Sequence, residues 1–257
     1  MAVIGVFSAK GGVGKTTLAV DIAWRCAHHG QAKTLLWDLD PQGGSAWLLG
    51  AEERKLARAA SVFQRDGRPR ELIEQTRFSR LDLLKADDSL RSLPVALARI
   101  GHKRRLAQLT GMLSAQYDRV VLDCPPVLNE VSEQVINAAD VLIVPLRASP
   151  MALRTLHTVR REIESLHGRH PPILPVLTMY NAQRPAQRAL RAAEMQGWPA
   201  IPMANQVEQA TALRLPLGLL SEGSRVDRAL SRLWQGIEAK LAERRAAISP
   251  QKIAVPA

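Results

Sequence analysis

Ala2-Val3-Ile4-Gly5-Val6-Phe7-Ser8 runs through Ala9 into Lys10-Gly11-Gly12-Val13-Gly14-Lys15-Thr16-Thr17, so an aliphatic segment of strand length passes through a glycine-rich turn into the helical stretch Thr16–His29. Glycines let successive backbone N–H groups turn inward around an anion, and the helix that follows aims the positive end of its dipole at the same point. That combination cradles phosphate. Lys15 adds a mobile charge suited to β- and γ-phosphates, and the Thr16 hydroxyl is suited to ligate Mg²⁺.

Working outward, short apolar runs alternate with longer helical stretches. Ala2–Ser8, Thr34–Asp38, Leu81–Lys85, Arg119–Asp123, Asp140–Pro145 and Ile173–Met179 are nearly continuous aliphatic runs that predict buried strands. Helices are predicted over Thr16–His29, Ala152–His167, Pro185–Gln196 and Ser224–Arg245, where apolar residues recur at three- and four-residue spacing. The alternation predicts an α/β fold: a mainly parallel sheet covered by helices on both faces, because parallel neighbours need crossover connections. Residues 1–248 read as a single domain, and residues 249–257 as a flexible tail. Cys26 and Cys124 lie too far apart for a CxxC or metal-ligand pattern and read as reduced, buried thiols.

Carboxylates follow two of the strands. Asp38-Leu39-Asp40-Pro41-Gln42 places two acids two residues apart on one side of an extended segment, and Pro41 stops further strand pairing. Asp123 closes the run Val120-Val121-Leu122-Asp123. Phosphoryl transfer asks a protein mainly for charge neutralisation through Mg²⁺ and for a water held in line with the γ-phosphate. Acids at these places suit both tasks, although a turn-capping carboxylate is a second reading of Asp38.

The second lysine of the loop, Lys10, together with Ala9 where the standard pattern has glycine, resembles the deviant Walker motif of the ParA/MinD family of ATPases. LWDLDPQGGSAW (36–47) and VVLDCPPVL (120–128) resemble that family's next two motifs in order and spacing, and the likeness covers roughly residues 1–220. It implies a P-loop NTPase fold of the ParA/MinD type, ATP and Mg²⁺ as cofactors, and hydrolysis of ATP to ADP and phosphate. Residue by residue, it implies nucleotide contacts from Gly11, Gly12, Val13, Gly14, Lys15, Thr16 and Thr17. Metal contacts fall to Thr16, Asp38 and Asp123, and Asp40 orients the attacking water. Lys10 is implied to reach the partner's phosphates across an ATP-dependent sandwich homodimer. Asn181 and Pro202 match the positions that wrap the adenine, while an amide at a strand end equally caps a turn.

Charge bears on the branch of the family. The chain carries a net +11, mostly as arginine, with fifteen basic against nine acidic residues over 51–120 and eleven against six over 181–257. Such blocks attract a polyanion or an anionic membrane surface, and arginine-rich composition of the source genome is the plainer account. Arg225, Arg228 and Arg232 share one helical face, and with Arg214 they are the candidate contacts for non-specific DNA; a solvated helix face is the alternative. Many ParA proteins read IPRNVR after the adenine-contacting proline, whereas this chain reads Ile201-Pro202-Met203-Ala204-Asn205-Gln206 and lacks those arginines. The tail, broken at Pro250, is not the amphipathic helix expected of the membrane-binding branch, and no apolar run is long enough to span a bilayer. The reading is therefore a cytoplasmic, nucleoid-associated ParA-like ATPase that segregates or positions DNA or a large cargo. An activating partner of the ParB-like kind stimulates it, and no stable membrane association is expected. A MinD-like membrane-associated regulator is the alternative.

Overall fold

The computed structural model describes residues 1–51, 58–101, 104–166 and 170–248. The tail expected over 249–257 and the helix end expected at His167 lie outside the described residues. Eight strands form one sheet: β1 (Ala2–Val6), β2 (Thr34–Asp38), β3 (Ile73–Gln75), β4 (Leu81–Leu84), β5 (Arg119–Asp123), β6 (Val141–Arg147), β7 (Ile173–Tyr180) and β8 (Ala200–Pro202). Helices α1 (Lys15–His28), α2 (Gly44–Leu48), α3 (Leu93–Ile100), α4 (Arg105–Gly111), α5 (Glu130–Ala138) and α6 (Pro150–Leu166) connect and cover them. They are followed by α7 (Pro185–Glu194), α8 (Asn205–Leu213), α9 (Leu217–Leu220) and α10 (Arg225–Ile248).

The strand order is β3-β4-β2-β5-β1-β6-β7-β8. Every pairing is parallel except β3 with β4. All six expected strands are present. The additions, β3 and β8, are three-residue edge strands too short to show a period in the sequence. β6 continues past Pro145 to Arg147, because at that level it pairs only with β7 and the missing N–H interrupts no ladder on the β1 side.

Alternation along the strands builds two cores. Ile4, Val6, Leu36, Val121 and Ile143 point into a layer closed by α1, α2, α8, α9 and α10. Val3, Leu35, Trp37, Val120, Leu122 and Leu142 point into the opposite layer, closed by α3, α4, α5 and α6. A smaller cluster between β6, β7, α6 and α7 extends that second layer. Both faces of the central strands are thus dry, which is why their sequences read as unbroken aliphatic runs.

One buried ion cluster sits in the first layer. Arg25, fully buried on α1, donates from Nε to Asp21 Oδ2 at 2.6 Å, from Nη2 to Asp227 Oδ1 at 2.8 Å and from Nη1 to Ser231 Oγ at 2.7 Å. Asp21 Oδ1 in turn accepts the Gly218 N–H at 2.7 Å. α9 approaches α1 so closely that a Cβ on Gly218 would fall 2.4 Å from the Trp24 ring. The cluster therefore ties the helix of the phosphate loop to α9 and to the start of α10. Arg25→Met leaves the buried Asp21 carboxylate without its ion partner, so unfolding stability is expected to fall by about 3–5 kcal/mol. Coupling it with Asp21→Asn recovers part of that loss. Urea titrations of the three proteins check this, and a single-variant loss below about 1 kcal/mol contradicts it.

Candidate nucleotide site

The site forms where β1, β2 and β5 end. Register puts Val6 beside Asp123 and Asp38 beside Asp123, so the phosphate loop after β1 and both strand-end carboxylates lie at one level. The chain reverses direction across the sheet here, since β1 leads through α1 to one side and β5 through α5 to the other. Open α/β sheets bind ligands at such a point, beyond the carboxyl ends of the strands.

Within the loop, Gly12 and Gly14 adopt φ of +70° and +81°, conformations that side chains with a Cβ resist. Gly14 is also the N-cap of α1. No heavy atom lies within 4 Å of the Cβ position at Gly11 or Gly12, so the space over the loop is open. The Lys10 N–H donates to Ser8 Oγ at 3.3 Å, and the buried Thr178 hydroxyl donates to the Val13 carbonyl at 2.8 Å. The end of β7 thereby pins the middle of the loop.

Three acids surround Lys15. Its Nζ donates to Asp123 Oδ1 at 2.7 Å and stands 3.6 Å from Asp40 Oδ2, with Thr16 Oγ1 at 3.4 Å. Burial disfavours the ammonium, yet the Asp123 and Asp40 carboxylates outweigh it and hold the lysine above its ordinary value. Asp38 is fully buried, and burial together with the neighbouring Asp123 pushes its carboxyl well above the usual aspartate range. Its oxygens accept the backbone N–H groups of Asp40 (3.0 Å) and Ser45 (3.1 Å). Asp38 thus anchors the segment that carries Asp40, the turn-capping alternative in geometric form. Asp40 Oδ1 accepts the Gln42 N–H at 3.1 Å, which orients the carboxylate toward the loop.

Ser45 was not visible as a site residue in the sequence. It is fully buried at the start of α2, and its Oγ donates to Asp123 Oδ2 at 2.9 Å while its N–H binds Asp38. Only its distance of seven residues from Asp38 hinted at it, and small polar residues in such loops are common. The donor set fits a nucleotide with its metal. The glycine loop offers phosphate an open bed, and among the described residues no three His, Cys, Asp or Glu side chains form a ready-made metal site. Mg²⁺ characteristically takes one or two protein oxygens and completes its shell with phosphate and water. Thr16 and Asp123, which both adjoin Lys15 Nζ, could supply those oxygens.

An apolar cleft of about 770 Å³ continues from the loop past Gly14 and Thr17, walled by Thr178, Met179, Ile201, Pro202 and Val207. Met179, with φ +51°, is in the left-handed region and reaches over Gly14. Pro202 therefore borders a base-sized slot. Asn181 stands outside that lining: its Oδ1 accepts the Gln183 N–H at 2.9 Å, capping the turn into α7. The basic candidates divide. All four are exposed: Arg225, Arg228 and Arg232 lie on α10, and Arg214 closes α8, its guanidinium stacked 5.0 Å over the exposed Trp47 ring. Both cysteines are buried thiols; burial pushes Cys26 up to about 12 and Cys124 further.

Residues 1–176 match the family model described as an AAA domain. The chain is 32% identical over 189 residues to the chromosome partitioning protein ParA of Caulobacter vibrioides, covering 70% of each protein. Apo McdA from Cyanothece has a similar fold, with a TM-score of 0.78 and 24% identity over 94% of this chain and 99% of that one. Cobyrinic acid a,c-diamide synthase from Mycobacterium smegmatis, solved with an ATP analogue and magnesium, gives a TM-score of 0.76 and 25% identity over 93% and 94% of the two chains.

Ser45→Ala removes a hydroxyl from Asp123 without changing charge. The expected result is a roughly tenfold or greater rise in the Mg²⁺ concentration that half-saturates ATP hydrolysis, the size of effect seen when a partner of a metal ligand is lost. ADP affinity measured without metal should stay unchanged. An unaltered Mg²⁺ requirement removes Ser45 from the site.

Proposed function

The chain belongs to the ParA/MinD family of P-loop ATPases and hydrolyses ATP with Mg²⁺, and from that premise we propose that ATP closes it into a sandwich homodimer that binds DNA without sequence preference. Hydrolysis, stimulated by a partner protein of the ParB-like kind, then releases the DNA. Cycles of binding and release segregate or position DNA or a large cargo, in a protein that works in the cytoplasm on the nucleoid. Among the described residues no helix is long and apolar enough to cross a membrane.

The contrast between the two loop lysines carries the reading. Lys15 is committed to its own chain, bound to Asp123 and near Asp40. Lys10 is half-exposed at the mouth of the loop, and among the described residues no carboxylate pairs with it. A cation held free at that place suits phosphates bound by a second copy. When nucleotide binds, its phosphates compete with Asp123 for Lys15, and the carboxylate that Lys15 leaves becomes available to the metal. Magnesium supplies charge neutralisation between the phosphates. Asp40, fixed by the Asp38 anchor and the Gln42 N–H, faces the same space and holds the attacking water.

Three measurements on one set of proteins test this. Lys10→Ala should bind ATP but fail to form the ATP-dependent dimer in light scattering. Asp40→Ala should dimerise yet hydrolyse at least about tenfold more slowly, since water positioning and proton handling contribute roughly 10²–10⁴-fold. The ATP-bound wild type should bind two unrelated duplexes equally, with a log–log salt slope of about −3.6 for about four neutralised phosphates. Normal dimerisation by Lys10→Ala rejects its action across the interface. Binding to anionic liposomes without ATP-dependent binding to DNA favours the membrane-associated alternative.

A further inference from the structure

The sheet ends at β8, a three-residue strand, and a second cleft of about 820 Å³ opens there, on the other side of Pro202 from the base-sized slot. Its walls bring together residues from both layers: Tyr180, Arg191 and Trp198 from the β7–α7–β8 side, and Arg225 and Arg232 from α10. Arg191 is half-buried and stacks 4.9 Å over the Tyr180 ring, which fixes its guanidinium at the wall of the cleft. No carboxylate lines the cleft, and among the described residues none of the three arginines has an acidic partner.

Three arginines lining one concave site with no carboxylate among them concentrate positive charge there, and a bound anion would offset it. Guanidinium forks match the paired oxygens of phosphate, and an anchored fork loses little freedom on binding. Arg228, three residues along α10 from Arg225, is outside the lining and donates to the Gly223 carbonyl at 2.6 Å. Grouping by helical face put Arg225, Arg228 and Arg232 together; the cleft instead selects Arg225 and Arg232 and adds Arg191 from another helix.

We infer that the cleft between α7 and α10 is a second phosphate-binding site, separate from the nucleotide loop, in which Arg191, Arg225 and Arg232 hold one phosphate group. Assigning that phosphate to a nucleic-acid backbone rests on the DNA reading above; a free phosphate is the other source of the same chemistry. On the DNA reading, Arg191 contributes as much as the α10 arginines although it lies outside the basic helix face.

The test compares arginines of equal charge. Arg188 is on α7 one turn before Arg191, donates to the Ala182 carbonyl and does not line the cleft. With the ATP-bound protein and a labelled duplex, Arg191→Gln should weaken binding at least fivefold and Arg232→Gln should do the same from the other wall. Arg188→Gln should stay within twofold of wild type. Equal losses for Arg188→Gln and Arg191→Gln overturn the cleft and leave a diffuse basic surface, with the DNA reading intact. If the wild type binds no duplex, the DNA reading fails and calorimetry decides the cleft. Inorganic phosphate is then titrated into ADP- and Mg²⁺-saturated protein. Binding that weakens at least fivefold in both Arg191→Gln and Arg232→Gln supports the site, and no binding, or binding indifferent to them, overturns it.

Discussion

The Lys15–Asp123 ion pair at the carboxyl ends of the central strands is the contact on which the rest of the site depends. Both groups are buried, Asp123 completely, and neither charge is tolerable there without the other. Asp38 sits alongside as a third buried titratable group, driven toward its protonated form by burial and by Asp123. Sheet register enforces this crowding, because parallel pairing of β5 with both β1 and β2 sets the two carboxylates level with the phosphate loop. Backbone and side-chain donors then share the load. Ser45 bridges the two acids, and the N–H groups of Asp40 and Ser45 satisfy Asp38. A site arranged in this way holds one cation of its own while it awaits a polyanion and a second cation, which is the charge balance that a nucleotide with its metal supplies.

Helix α1 links this site to the rest of the fold. α1 begins at the phosphate loop and, two turns later, places Asp21 and Arg25 in the buried cluster with Asp227 and Gly218. α10 leaves that cluster to cover the sheet, presents Arg225 and Arg232 to the edge cleft, and is tied to the base of β5 where Arg119 Nη2 meets Glu238 Oε2 at 2.5 Å. Nucleotide loop, base-sized slot and basic cleft are therefore joined by contacts of α1 and α10 rather than lying on unconnected surfaces. Pro202 borders both the slot and the cleft.

Much of this was legible in the sequence because the relevant signals are local. The loop announces itself by glycines whose positive φ no other residue adopts readily, and the central strands by unbroken aliphatic runs that only a doubly covered sheet produces. Edge strands β3 and β8 escaped because three residues carry no period, and α3, α4 and α5 because seven to nine residues fill barely two helical turns. Tertiary placement was the harder part. Arg214 lies off α10 and stacks on Trp47, a contact that composition does not reveal. Asn181 accepts the Gln183 N–H at the turn into α7, the second of its two sequence readings. Ser45 and Thr178 find their partners far along the chain, which no spacing rule reveals.

Lys15 holds the Asp123 carboxylate, and nucleotide is expected to draw it away. A crystal structure with Mg²⁺ and a non-hydrolysable ATP analogue tests it most directly, through the position of one nitrogen. Lys15 Nζ is expected to leave Asp123 and come within hydrogen-bond distance of the β- and γ-phosphates, with Mg²⁺ beside Thr16 and Asp123. Lys15 still bound to Asp123 with the phosphates in place would contradict it.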